Sequence, residues 1–144
     1  MFDRTQLMEH LAVDLRLSLK EFCNAMRQHF GLPEFEYDRE NETEWGSANY
    51  GGIEYNVSRP YERETLTEWD DSVPVGCNIG ITLIAFKDCS PGQDTGWSSA
   101  DLVERIAQGL ANHLQCRVYH HRTWHGVGKN VIHNHVFEPK SSPC

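Results

Sequence analysis

Five of the eight histidines fall between positions 120 and 135: His120, His121, His125, His133 and His135. Imidazoles gathered in this way suit two kinds of chemistry, metal binding and acid–base work. In a strand, side chains alternate between faces, so His133 and His135 project to the same side. His120 or His121 could lie across a hairpin from them, and three imidazoles on one face can hold Zn²⁺. His120, His133 and His135 are therefore the candidate metal ligands. Named catalytic arrangements do not fit. An HNH nuclease needs its last histidine on a helix, but "VIHNHVFEP" is strand-like and soon meets Pro139. A two-histidine phosphoesterase needs two H-x-T or H-x-S units, and "HRT" (His121, Thr123) occurs once. An oriented histidine normally leans on a carboxylate, and the nearest acid in sequence is Glu138. Ordinary strand residues on a polar sheet face are the commoner role for such histidines. No catalytic residue, metal or cofactor is assigned on sequence.

The second chemically suggestive stretch is "EFEYDRENETEW", residues 34–45. It has an acid at every even position: Glu34, Glu36, Asp38, Glu40, Glu42 and Glu44. One strand would send all six carboxylates to one face, where they repel, and like charges opposite each other cost stability. Either a turn breaks the row or something outside it benefits. Residues 34–71 hold twelve acids and three arginines (Arg39, Arg59, Arg63), against a whole-chain charge of −8. The remaining residues are close to neutral. Such a field disfavours nucleic acid, which is gripped by Lys and Arg. It suits a basic protein partner, and it also keeps a protein soluble. Trp45 and Trp69 lie among the acids, and tryptophan at a rim often anchors an interface.

The elements that must position these residues follow from periodicity. Residues 3–30 predict a helix, capped by Asp3. Its apolar stripe is Met8, Ala12, Leu15, Leu19, Phe22, Met26 and Phe30, and Gly31 and Pro33 end it. Residues 34–45 predict one or two strands, "GSANYGG" (46–52) a turn or loop, and "GIEYNVSRP" (52–60) a half-buried strand. "VGCNIGITLIAF" (75–86), the most apolar stretch, predicts a central strand. "SSADLVERIAQGLANHL" predicts a second helix with Leu102, Ile106, Leu110 and Leu114 on its buried side. Gly109 in its middle costs roughly 1 kcal/mol and implies a close packing contact. "CRVYHHRTW" and "NVIHNHVF" predict a hairpin, and 137–144 a flexible tail. The expected fold is a single α+β domain over residues 1–144. It is a sandwich of a mostly antiparallel sheet with two helices on one face, in the order α-β-β-β-α-β-β.

The five cysteines form no C-x-x-C pair, which fits reduced thiols in a cytoplasmic compartment. "MFDRTQLMEHLAVDLRLSLK" has no apolar run suited to a signal peptide or membrane span.

The stretches "EFEYDRENETEW", "GIEYNVSRPYE", "PVGCNIGITLIAF" and "ADLVERIAQGLANHLQCRVYHH" resemble the small acidic immunity proteins of bacterial contact-dependent and related polymorphic toxin systems. The resemblance implies a cytoplasmic, non-enzymatic α+β domain that binds and neutralises a cognate toxin, often a basic nuclease, with no cofactor, nucleic acid or membrane as partner. It carries no binding residue over by position. Charge and exposure alone nominate Glu36, Asp38, Glu40, Glu42, Trp45, Trp69 and Asp70 as partner-binding. Two alternatives are a metal-dependent hydrolase built on the His120–His135 hairpin and a non-inhibitory adaptor or chaperone for a secreted effector.

Overall fold

The computed structural model describes residues 5–15, 17–40, 43–50, 53–60, 73, 76–87, 99–125 and 129–140. These form the order β1 (Thr5–Val13), α1 (Leu19–Phe30), β2 (Glu36–Glu40), β3 (Thr43–Tyr50), β4 (Ile53–Pro60), β5 (Ile79–Lys87), α2 (Ser99–Leu114), β6 (Val118–His125) and β7 (Lys129–Phe137). The α+β class holds, with seven antiparallel strands and two helices. The order is corrected to β-α-β-β-β-β-α-β-β, because the predicted first helix is a strand followed by a shorter helix and the acidic stretch is divided between two strands, β2 and β3.

The physical reason lies in "TQLMEHLAV". Leu11, Ala12 and Val13 are consecutive and all buried. A helix with one apolar stripe cannot bury three neighbours in a row, but a strand covered on both faces does. β1 is such a strand, hydrogen-bonded between β5 and β6 in the sheet order β2-β3-β4-β5-β1-β6-β7. The helical stripe begins only at Leu19 and continues through Phe22, Cys23 and Met26, all buried. Ser18, not Asp3, caps it. Its Oγ accepts from the Glu21 N–H at 3.1 Å, and the Glu21 carboxylate accepts from the Ser18 N–H at 3.0 Å. This reciprocal capping box satisfies two donors that the helix leaves open. Gly31, at φ 68°, closes the other end in the left-handed conformation that glycine adopts without strain. Asp3 lies outside the described residues.

The turn or loop expected at 46–52 is corrected over residues 46–50, and residues 51 and 52 lie outside the described residues. β3 runs through Tyr50 and pairs with β4 along its length, Gly46 opposite Val57 and Ala48 opposite Tyr55. Gly46 and Ala48 are small because that face lies under α1. A Cβ on Gly46 would sit 3.1 Å from the Tyr37 ring and 3.3 Å from Cys23 Sγ. The central strand predicted at 75–86 is β5, the middle strand of the seven.

Both helices cover one face, α1 over β3 and β4, α2 over β6 with β1 and β7 beside it. Between them lies the main core, built on Leu11, Val13, Phe22, Met26, Val57, Ile79, Ile81, Ile106 and Leu110. Each such side chain contributes about 1.5–3 kcal/mol by leaving water. Leu102, Ile106 and Leu110 are buried as expected, and Leu114 is partly so. Gly109 meets the predicted close contact, since a Cβ there would lie 2.9 Å from Phe30 Cε1. On the opposite face Ala12, Val73 and Cys77 form a smaller cluster with Tyr119 against it.

The start of the predicted tail is tethered rather than loose. Arg117 pairs with Glu138 at 2.8 Å, Gln108 donates to the Glu138 carbonyl, and the Lys140 N–H donates to Asn112. Residues 141–144 lie outside the described residues.

Candidate functional site

The two suggestive stretches of sequence lie near opposite ends of the sheet. At the β6–β7 end, the helix-side face carries Glu9 from β1, His120 and Thr123 from β6, and His133 and His135 from β7. A regular strand would send residues 120 and 123 to opposite faces. A bulge prevents this. His120 pairs with Leu11, but Arg122 pairs with His10, so His121 is the extra residue of β6. Thr123 then falls opposite Glu9, on the same face as His120. Bulges re-aim side chains in this way, often beside functional sites.

The resulting contacts form one connected network. His120 Nε2 is 3.0 Å from Glu9 Oε1, and the Thr123 hydroxyl donates to the same carboxylate oxygen. His133 Nε2 is 2.7 Å from Thr123 Oγ1. The His120 and His133 rings stack with centroids 4.3 Å apart, and His135 lies 5.7 Å from His133. Donors and acceptors balance when both His120 and His133 carry a proton on Nε2. His120 then donates to Glu9 and His133 to Thr123. Glu9 is 3% exposed, His120 7% and Thr123 6%. His133 is half-buried, and His135 is exposed on the edge strand. Burial is the main cause of a lowered His133 pKa. Neighbouring His120 adds to the effect, and the Glu9 carboxylate opposes it.

Sequence reasoning left His120 and His121 as alternatives across from His133 and His135, and His120 is the one paired with His135 and stacked on His133. It missed Glu9, the carboxylate whose absence from the hairpin had counted against chemistry there. The available signal was an acid inside the mostly apolar "LMEHLAV", and reading that stretch as helix hid it. His121 points away from this network and lies buried on the other face, its ring 6.0 Å from that of His10.

At the other end, the acidic row is divided between two antiparallel strands. β2 and β3 pair with Glu40 opposite Thr43, leaving two residues between the strands. That register puts Glu36, Asp38 and Glu40 opposite Ser47, Trp45 and Thr43, none of them acidic. Glu44 falls on the helix-side face opposite Arg39, and its carboxylate lies 3.6 Å from Arg59. The like-charge repulsion of a single six-acid strand is thus avoided. Glu36 and Asp38 are exposed and Trp45 half-buried. β2 is an edge strand, where charge also discourages pairing with another chain. Glu42, Trp69 and Asp70 lie outside the described residues.

Beside this hairpin a groove of about 530 Å³ is lined by Ser18, Lys20, Tyr37, Asp38, Arg39 and Glu44 among others. Its two bases and two acids point to no single class of small ligand. Cys23, Cys77 and Cys116 are free thiols. Among the described residues no helix is long and apolar enough to cross a membrane.

No known protein family, curated protein or solved structure matches this chain.

Proposed function

We propose that this chain is an immunity-type binding protein. It docks a basic toxin domain, such as a nuclease, on the open face of the β2–β3 edge. The supporting observation is the hairpin register. It sets the exposed Glu36 and Asp38 on one face, with Trp45 directly opposite Asp38. Two carboxylates at strand spacing, about 7 Å apart, come close to the repeat of phosphates along a nucleic-acid strand. A cleft built for phosphates can therefore accept them. Electrostatic attraction then mainly sets the rate of encounter and the choice of partner, while Trp45 supplies apolar contact area. In this reading the protein is not an enzyme, takes no nucleic acid or membrane as partner, and works in the cytoplasm, where its free thiols remain reduced.

The test compares the protein with a Glu36→Lys/Asp38→Lys variant as bait in lysate of the source cell, at low and high salt. The captured partner is then purified and its activity assayed. The reading expects one basic partner, released by salt, whose activity the wild-type chain inhibits. The variant should associate at least tenfold more slowly, because charge reversal acts first on steering. An inhibited partner that bound the variant at an unchanged rate would overturn the assignment to this face. A partner bound without inhibition would favour an adaptor.

A further inference from the structure

We propose that Glu9, His120 and His133 form a binding site for one divalent metal ion of the zinc class. The site joins central strand β1, its neighbour β6 and edge strand β7, and it is separate from the acidic hairpin.

The donor set is the first argument. One carboxylate and two imidazoles are ligands that Zn²⁺ accepts, and three protein ligands leave a fourth position for water. Geometry is the second. The three ligand atoms, a Glu9 carboxylate oxygen and one nitrogen from each histidine, all lie within 4.8 Å of one another. Ligands about 2.0–2.1 Å from a tetrahedral ion sit roughly 3.4 Å apart. The Glu9–His120 separation of 3.0 Å is already close to that value. His133 comes from edge strand β7, its ring stacked on that of His120.

The third argument is the convergence on Thr123. Its hydroxyl lies within hydrogen-bonding reach of Glu9 Oε1, His120 Nε2 and His133 Nε2. A single hydroxyl thus links all three candidate ligands. When an ion enters, the two imidazoles shift their protons from Nε2 to Nδ1. The Thr123 hydroxyl keeps its bond to the carboxylate, as a group that orients the ligand. The fourth argument is charge. Glu9 is almost wholly buried, and a buried carboxylate gains most from a cation held directly against it.

The competing histidine site is the stacked pair His29 and His113, whose rings lie 4.7 Å apart at the α1–α2 contact. Both are exposed, and no acid accompanies them in a metal-ligating group among the described residues.

The test uses the full chain, stripped with chelator and titrated with Zn²⁺ by calorimetry. Co²⁺ serves as a spectroscopic substitute. The proposal expects one Zn²⁺ per chain, the strong visible absorption of tetrahedral Co²⁺, and a raised melting temperature with Zn²⁺. Losing a direct ligand should cost at least as much as losing a supporting contact, so His133→Ala should weaken binding by about 100-fold or more. His133 is half-buried on an edge strand, so this variant should fold, which circular dichroism would verify. Glu9→Gln, which keeps the side chain's shape, should abolish the tetrahedral Co²⁺ spectrum. His29→Ala/His113→Ala should leave binding unchanged. No bound zinc, zinc retained at full affinity in His133→Ala, or zinc lost in the His29/His113 variant would each overturn the proposal.

Discussion

Replacing Gly109 by alanine should destabilise this protein, although alanine is the better helix former. Inside a helix, glycine to alanine gains about 1 kcal/mol. Opposing that gain, the new Cβ would sit 2.9 Å and 3.1 Å from two atoms of the Phe30 ring and 3.0 Å from His29 Nε2. Carbon atoms pack best at about 3.5–4.0 Å, so the rings must retreat by roughly half an ångström or more. They are not free to do so independently. Phe30 packs on the core and meets the His29 ring edge-on at 4.7 Å, and His29 in turn stacks on His113. Overpacking of this kind typically costs about 1–3 kcal/mol. The net expectation is a loss of about 0–2 kcal/mol, seen as a lower urea midpoint with an unchanged slope. The decisive control is the same substitution in a His29→Ala/Phe30→Ala background. With the obstacle removed, the helical preference should reassert itself and Gly109→Ala should stabilise by about 1 kcal/mol. The sign should therefore reverse between backgrounds. Stabilisation of equal size in both would refute the close approach of α1 and α2 at this point.

Two further outcomes concern the remainder of the fold. Ser18→Ala removes one half of the capping box and should cost about 1 kcal/mol, measured by chemical denaturation; a loss near zero would mean that the box does not hold the start of α1. Burial pushes the Cys23 and Cys77 thiols up to about 12 and Cys116 to about 11. The folded chain therefore holds these protons while the unfolded chain releases them above its ordinary thiol pKa of 9.0. Stability should be constant on this account below pH 9 and fall as pH rises from there toward the folded values. Denaturation midpoints across that range would show the slope, and Cys23→Ala should flatten it. A wild-type midpoint independent of pH would contradict the burial of these groups.

How far the sequence revealed the fold depended on whether one local pattern dominated. The run around Ile79–Lys87 and the hairpin of β6 and β7 could be read directly, because alternation and turn residues agreed there. The strand at Thr5–Val13 could not. Its apolar residues also satisfy a helical spacing and merge without a break into the true helical stripe from Leu19. What makes it a strand is its place between β5 and β6, and those contacts come from residues far away in the chain. The bulge at His121 was illegible for the same reason, being a mismatch between two strands rather than a property of one. Yet that bulge turns Thr123 toward Glu9 and His120. The acidic row was legible as a pattern, but its division into two faces depended on the hairpin register. The candidate site was thus half visible, as histidines without the acid that joins them.

The position of β1 also has a consequence for synthesis. It leaves the ribosome first among the described strands but belongs near the middle of the sheet, where Leu11 pairs with Ile81 on one side and His120 on the other. At about 5–20 residues per second, β1 waits several seconds for its first partner and longer for its second. During that interval its apolar residues have no sheet to join. Completion of the sheet, and with it the meeting of Glu9 with His120, comes only once the last third of the chain has been made.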